Sequence, residues 1–252
     1  MNADQAEAQF WAAFLRNRNI DAGTADDGAV AVAGGYAIAI AGTYGQVALA
    51  IGSTRPLTAD DLHVLEAFYR RRKLPVRIEV RQDVLERDRA LLDEHGYELA
   101  DIRFGLLETS TIPEASSAGV VVRPAPSRAA WVRLVTRAFA EGGEPDAESR
   151  RSAEVTAAAA SRLFVAEVDG VAAGGGAVGI SGEVAFLFSA AVLPEFRGRG
   201  VHRALLSARA AFGAAHGAAR SALKAVDEGA AARSAERAGF RRTTILRRLR
   251  RD

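Results

Sequence analysis

The chain has 252 residues, of which 49% are hydrophobic and 25% are charged. That is enough apolar material for one large domain or two of ordinary size, and it excludes a disordered or collagen-like chain. There is no cysteine, which excludes disulfides, zinc–thiolate clusters and a catalytic thiol and fits a reducing compartment. Only two of the 33 basic residues are lysine and the net charge is +2, so the abundance of arginine alone does not indicate a nucleic-acid partner.

An uncharged stretch from Gly28 to Thr54 is long enough to span a membrane. Glycines interrupt it, however, and Val30, Val32, Ile38 and Ile40 alternate with small residues, which is typical of short strands joined by turns. The start, MNADQAEAQF, has no basic segment followed by an apolar one, so we expect no secretory signal. We therefore predict a cytoplasmic protein that makes no contact with membranes.

The first half alternates helices and strands. A helix with an apolar face covers residues 3–17, and a second helix starts at Thr58, where Asp61 three residues later completes a capping-box pattern. The other predicted elements are three short strands between 28 and 52, a strand after Pro75, a helix over 83–95 that stops at Gly96, and a strand over 97–107.

A segment rich in Ser, Thr and Pro, TSTIPEASSAG, begins at residue 109 and is typical of an interdomain linker. We predict domains over residues 1–108 and 119–252 with a linker over 109–118. In the second domain we expect strands at 120–123, 163–168, 171–180, 184–192, 222–226 and 240–249, and helices at 127–140, 146–161, after residue 200 and at 230–237.

The two halves repeat each other. LDEHGYELADIRFGLL near residue 100 matches SAERAGFRRTTILRRL near the C terminus in its helix, glycine, aromatic residue and strand. The first half has only GSTRPL where the second half has RGRG. We therefore predict an α/β fold with mixed sheets, made of two similar domains in tandem, of which the first is a degenerate copy.

The segment LPEFRGRGVHRALL carries the chemistry. Gly198 and Gly200 allow a sharp turn that presents main-chain N–H groups, and the helix that follows adds its positive N-terminal end. Such a turn is an anion site, and Arg197 and Arg199 add the charge that a diphosphate requires. A tight turn that happens to contain arginines, or an RNA-binding Arg-Gly segment, is the alternative for these four residues alone.

With the preceding strand, Ala-Val-x-Pro-Glu-Phe, and the following helix, this segment resembles the GNAT family of acyl-CoA-dependent N-acetyltransferases. The resemblance implies that acetyl-CoA is the co-substrate. It further implies that main-chain groups of Ala191 and Val192 pair with the pantetheine arm, and that an amide near Val192 polarises the thioester carbonyl. The residues implied to hold the pyrophosphate are Arg197, Gly198, Arg199, Gly200, Val201 and His202.

Two positions depart from the family pattern. His202 stands where a small residue is usual, and its side chain must lean away from the pyrophosphate or donate to it. Ala235 stands where the family has the tyrosine that protonates the leaving thiolate, and the adjacent Ser234 is a candidate for a polar contact to the cofactor. A thiol with a pKa of about 8.5 is a fairly good leaving group, so losing the acid slows transfer without forbidding it.

The amine acceptor needs a base or a chain of water to take its proton. Glu183, at the start of the strand before the loop, is the candidate base. Glu167 and an acidic cluster of Glu141, Glu144, Asp146 and Glu148 are alternatives, and a purely solvated role remains open for all of these carboxylates.

Three other signals are set aside. Gly174, Gly176 and Gly179 match G-x-G-x-x-G, but a strand follows rather than a helix, so they are interpreted as a flat strand surface for another strand or an acyl chain. The four histidines show no metal-ligand spacing, so we expect no metal. The last residues, RRTTILRRLRRD, are interpreted as a strand with Ile245 and Leu249 inward and a solvated arginine edge.

We predict direct transfer of an acetyl group from acetyl-CoA to an amine of a small molecule or peptide, because no cysteine can form an acyl-enzyme. The alternative is a non-catalytic, regulatory acyl-CoA-binding protein of the same fold. Nucleic acid and membranes are not expected as partners, and the protein is expected to be a monomer or homodimer.

Overall fold

The structure is a computed structural model that describes residues 1–17, 27–114 and 119–251. The chain divides into two compact units, Met1–Leu106 with Thr243–Asp252, and Leu107–Arg242. The domain boundaries at 108 and 119 stay a prediction, and this division differs from them because the last ten residues group with the first unit. Residues 115–118 of the predicted linker lie outside the described residues.

The first unit contains helices packed on a mixed sheet. Its elements are α1 (Ala3–Asn17), β1 (Gly28–Val32), β2 (Gly35–Ala39), β3 (Val47–Leu49), α2 (Ala59–Arg70), β4 (Val76–Arg81), α3 (Gln82–Glu94) and most of β5 (Glu98–Thr109). Thr58 Oγ1 accepts the Asp61 N–H, and the Asp61 carboxylate accepts the Thr58 N–H. The predicted capping box is therefore present and sets the start of α2.

The arginine-rich C-terminal segment forms β11 (Arg241–Arg251), which pairs antiparallel with β4 and lies between β4 and β5 in the strand order. The predicted solvated edge is therefore wrong. Leu246 and Leu249 are buried, and Arg248 Nη2 donates to Glu79 Oε2 at 2.8 Å. Glu79 is only 2% exposed, so this arginine neutralises a buried carboxylate instead of facing solvent.

The second unit has the strand order β10-β9-β8-β7-β6. Its elements are β6 (Val120–Pro124), α4 (Arg128–Phe139), α5 (Ala147–Ala159), β7 (Arg162–Val168), β8 (Val171–Ser181), β9 (Val184–Val192), α6 (Val201–Ala215), β10 (Arg220–Val226) and α7 (Ala230–Arg237). Asp169 and Gly170 both have positive φ angles in the β7–β8 turn, as expected of a two-residue hairpin.

The helices of the second unit cover opposite faces of its sheet. Phe164, Ala166 and Val168 of β7 pack in one core cluster with residues of α6 and α7. Leu163 and Val165 of the same strand pack in another cluster with residues of α4 and α5. Successive strand residues point to opposite faces, so the sheet is sandwiched between two helical layers. The predicted α/β class with mixed sheets is confirmed.

Within the described part of the chain, no helix is both long and apolar enough to cross a membrane.

Candidate active site

A slot opens between strands β9 and β10. The two strands run parallel but pair at only three positions, from Val184 opposite Arg220 to Phe186 opposite Ala222. Both strands continue beyond these pairs, β9 to Val192 and β10 to Val226. The edge of β9 after Phe186 is therefore not laddered to β10, and unpaired main-chain groups of this kind bind another extended chain.

A bulge in β9 lies along the slot. Ala177 of β8 pairs with Phe188, but Gly175 pairs with Ala191, so β9 has one extra residue in this interval. Ser189 in the bulge has a φ of +48°, and its Oγ lies 3.5 Å from Thr156 Oγ1 of α5. Bulges re-aim backbone groups and terminate pairing, so this one turns peptide groups out of the ladder beside the slot.

The RGRG loop joins the end of β9 to α6. Gly198 and Gly200 have φ angles of +77° and +78°, with Gly200 in the N-cap position of α6. A Cβ built on Gly198 meets no heavy atom within 4 Å, so this glycine serves conformation rather than packing. The first N–H groups of α6, from Val201 on, have no acceptor within the helix and point toward the loop. The sharp turn predicted at Gly198 and Gly200 is therefore present at the start of α6, whereas anion binding there stays a prediction.

The two loop arginines are each held by a carboxylate. Arg197 Nη1 donates to Glu141 Oε2 at 2.6 Å, and its Nε donates to the Val192 carbonyl. Arg199 Nη2 donates to Asp169 Oδ2 at 2.8 Å. The hydrogen bond from Arg197 lowers the pKa of the Glu141 carboxyl below its usual range. Both ion pairs are exposed, so an incoming phosphate can compete for these arginines at little cost.

His202 leans away from the loop toward α7. Its Nδ1 lies 2.9 Å from Ser234 Oγ, so two residues predicted separately for the cofactor site contact each other. Burial, with a smaller contribution from the charge of Arg209, lowers the pKa of His202 to about 4. The imidazole is therefore neutral at pH 7.

Arg209, which sequence analysis missed, is a buried cation beside the bulge. It is 1% exposed, and its Nη1 donates to the carbonyls of Ala177 and Phe188 at 3.4 and 3.3 Å. Its Nε donates to the Leu205 carbonyl of the preceding helical turn. Burial lowers its pKa to about 9. The spacing from Leu205 marks Arg209 as a residue of the buried helix face, but the abundance of arginine in this chain conceals it.

The β8 glycines make room for neighbouring groups. A Cβ on Gly174 would lie 2.6 Å from the Ala191 carbonyl oxygen, and one on Gly176 would lie 3.0 Å from Arg209 Cζ. A Cβ on Gly175 would lie 3.0 Å from Nε1 of the buried Trp131, which has no hydrogen-bond partner in the described chain. The predicted flat surface therefore accommodates β9, an arginine and an indole.

Glu183 is not brought to the site. It lies in the exposed turn between β8 and β9, at the opposite end of a nine-residue strand from Val192. At ~3.3 Å per residue this separation is roughly 30 Å. This position gives no support to Glu183 as the base, and that role stays a prediction.

The other carboxylates have structural partners. Glu144 pairs with Arg150, Asp146 caps α5 by accepting the Ser149 N–H, and Glu167 pairs with Arg123. Ala235 is fully buried in the core between α6 and α7. Of the predicted bases, Glu141 lies beside the RGRG loop, where it pairs with Arg197. The contacts of Glu144, Asp146 and Glu167 do not place them at the slot.

A cavity of about 930 Å³ lies between α4 and α5 and includes Val132, Thr136, Pro145 and Ala158. None of its lining residues comes from β9, β10 or the RGRG loop, so it is separate from the slot. Among the described residues no group of three or more His, Asp or Glu side chains is arranged to hold a metal ion.

Several solved structures are similar in fold. A GCN5-related N-acetyltransferase from Kribbella flavida has a TM-score of 0.67 at 17% identity and covers 99% of this chain and 96% of its own. One from Sphaerobacter thermophilus has a TM-score of 0.58 at 19% identity, over 76% of this chain and 66% of its own. A tandem GNAT protein from the clavulanic acid biosynthesis pathway has a TM-score of 0.56 at 15% identity, over 81% and 74%. At these identities the likeness shows the fold.

A search of curated proteins finds no sequence match to this chain. The family model described as acetyltransferase (GNAT) family matches residues 129–240. That segment contains the slot, the bulge, the RGRG loop and helices α6 and α7. Residues 129–240 therefore belong to the GNAT acetyltransferase family, and the chain has the fold of GCN5-related N-acetyltransferases.

Proposed function

We propose that this protein is an N-acetyltransferase that moves an acetyl group from acetyl-CoA directly to an amine of a small molecule or peptide. The observation that carries the proposal is the continuity between the β9–β10 slot and the glycine-rich N terminus of α6. A long ligand with an extended amide-containing arm and a diphosphate matches these two features in order. The absence of cysteine in the chain supports direct transfer and a cytoplasmic location.

Each candidate residue has a role in binding. The main-chain N–H groups of residues 198–202 would hold the pyrophosphate at the positive end of α6, with Arg197 and Arg199 exchanging their carboxylates for phosphate oxygens. Ala191 and Val192 would pair with the pantetheine arm through their main chain. An N–H near Val192 would polarise the thioester carbonyl as charge develops on its oxygen. The proton of the attacking amine would leave through water.

The first unit is proposed to be a degenerate second copy of the same fold. The segment after β3, GSTRPL, leads into α2 through the Thr58 capping box. This segment has one left-handed glycine, Gly52, whereas the loop of the second unit has two, Gly198 and Gly200. We therefore assign cofactor binding to the second unit alone.

Calorimetric titration with acetyl-CoA tests binding. We expect the double variant Arg197→Ala/Arg199→Ala to bind more weakly by tenfold or more, since two charge-assisted contacts worth about 1.5 kcal/mol each are at stake. The matched control is Arg128→Ala/Arg133→Ala, which removes two exposed arginines of α4 and should leave the affinity unchanged. Absence of heat and of any thermal shift at saturating acetyl-CoA would refute the proposal.

Release of free CoA thiol with a panel of amines tests transfer. The chain contributes no thiol of its own, so a thiol reagent reports CoA alone. A second candidate function, a non-catalytic acyl-CoA-binding protein, is favoured by the burial of Ala235 and the remote position of Glu183. Binding of acetyl-CoA without thiol release from any amine would select that second function.

A further inference from the structure

Resting on the function proposed above, we propose that Arg209 stabilises the CoA thiolate that leaves during acyl transfer, in place of the acid missing at Ala235. In this reaction the amine nitrogen forms the new C–N bond, and the C–S bond breaks with its electron pair on sulfur. The amine proton goes to water. Because no side chain protonates the sulfur, the thiolate needs a fixed positive charge close to the slot.

Arg209 is a cation without a counterion. Its hydrogen bonds all go to main-chain carbonyls, those of Leu205, Ala177 and Phe188, and it has no ion pair within the described residues. Taking a guanidinium out of water without a carboxylate is costly, and a neutral side chain of similar length would avoid that cost. Its uncompensated charge is felt nearby, since it contributes to the lowered pKa of His202.

The position of this charge coincides with the start of the slot. Ala177 and Phe188 are the last pair of the β8–β9 ladder before the bulge. The carbonyl of Phe188 lies two residues beyond Phe186, the last residue of β9 that pairs with β10. Arg209 therefore lies against the stretch of β9 that begins the unpaired edge, four residues before Val192. Because it is 1% exposed, its charge would act on the sulfur through the protein interior rather than by direct contact. Gly176 leaves the space that the guanidinium fills, since a Cβ there would approach it to 3.0 Å.

Other charged groups near α6 lie farther along the helix: Arg162 of β7 lies over the ring of Phe212, 5.5 Å from its centroid and three residues beyond Arg209. The residues of β6, β7, β10 and α7 that pack in the same core cluster as α6 are apolar. Strands β8 and β9 have no ionisable side chain. His202, the titratable neighbour on α6 itself, is neutral at pH 7. Lys224 of β10 lies two residues past the last pair with β9. It alternates with Leu223 and Ala225, which belong to the core cluster, and it is the other cation that could lower the pKa of the thiol.

The test is a pH titration of CoA bound to the full chain, followed by the ultraviolet absorbance of the thiolate. The protein has no cysteine, so CoA is the only thiol in the sample. A cation close to the sulfur lowers its pKa, and we expect the bound thiol to titrate about one pH unit or more below free CoA in the same buffer. A midpoint equal to or above that of free CoA overturns the proposal without any variant.

Variants identify the source of the charge. Arg209→Met should return the midpoint to that of free CoA, whereas Arg209→Lys should keep it low. Lys224→Met removes the rival cation, and Arg203→Met removes one from α6 that donates to the Glu114 carbonyl; neither should move the midpoint. A midpoint that rises in Lys224→Met, or stays low in Arg209→Met, overturns the assignment.

Two outcomes distinguish a failure of this inference from a failure of the proposed acetyltransferase function. If CoA does not bind, the proposed function itself fails, whereas normal binding with an unshifted thiol overturns only the role of Arg209. A purely structural role for Arg209 would change stability but leave the thiol titration where it is. If Arg209→Met does not fold, the titration midpoints of the wild-type protein and of Lys224→Met still test whether Arg209 lowers the pKa of the thiol.

Discussion

The imidazole of His202 and the hydroxyl of Ser234 form one polar pair, with 2.9 Å between Nδ1 and Oγ. The pair joins the first turn of α6 to α7, next to Ala235 in the core. The resemblance to acetyltransferases offers Ser234 as a polar contact to the cofactor and requires the side chain of His202 to lean away from the pyrophosphate or donate to it. In the structure the two side chains contact each other. The main-chain N–H groups of the loop are thereby left for the ligand.

The lowered pKa of His202 predicts a pH dependence of stability. Unfolded histidine titrates near 6.5 and the folded group near 4, so the unfolded state binds more protons between these values. The free energy of unfolding should therefore fall as pH drops from 6.5 toward 4, by at most about 3 kcal/mol. Urea denaturation at several pH values measures this loss.

Two variants test whether burial or the hydrogen bond to Ser234 causes the lowered pKa of His202. His202→Gln should abolish this part of the pH dependence. Ser234→Ala should keep it, because burial rather than the hydroxyl is the main cause of the shift. Equal slopes in wild type and His202→Gln would contradict the assignment.

Releasing Arg197 from Glu141 should tighten the binding of CoA. The ion pair is exposed, so it is worth about 0.2–1 kcal/mol, and Glu141→Gln should improve the affinity by no more than about fivefold. Glu144→Gln is the control, because its partner Arg150 is remote from the loop in sequence and lies on α5. Calorimetry at low salt measures both, and weaker binding by Glu141→Gln would count against phosphate exchange at Arg197.

Gly198 and Gly96 form a matched pair for testing the loop. Both have left-handed φ angles, and a Cβ on either would meet no heavy atom within 4 Å. Changing either to Ala should therefore cost about 1 kcal/mol of stability for conformational reasons alone. Only Gly198→Ala should also weaken CoA binding, because only that glycine presents loop N–H groups. Equal CoA affinities for the two variants would place the pyrophosphate elsewhere.

Most elements could be predicted from the sequence because their signals are local. Helices α1 and α7 and strand β9 have the predicted bounds, and Gly96 ends a helix as predicted. The place of β11 could not be predicted, since pairing with β4 joins residues about 170 positions apart. At the site, the loop was visible as a motif, whereas Arg209 and the Arg197–Glu141 pair depend on tertiary contacts.

Arg248 should be essential for the stability of the first unit. Its partner Glu79 is 2% exposed, and removing one member of a buried pair costs about 3 kcal/mol. Arg248→Met should therefore destabilise the unit, as followed by the fluorescence of Trp11 in a Trp131→Phe background. Arg250 is the control, because its partner Glu98 is exposed, and Arg250→Met should cost under about 1 kcal/mol. Similar losses for both variants would contradict a special role for the buried pair.

Restoring the tyrosine of the family pattern at Ala235 should not restore a general acid. Ala235 has no exposed surface and packs in the core shared by α6 and α7, so a phenol ring there overpacks the core and costs about 1–3 kcal/mol. Ala235→Tyr should therefore lower the thermal midpoint without increasing thiol release from acetyl-CoA. Arg237→Tyr, which adds the same ring on the exposed face of α7, should leave both properties unchanged. A stable Ala235→Tyr variant with faster thiol release would instead show that this position reaches the slot, and that the wild-type protein transfers acetyl groups slowly for want of a proton donor.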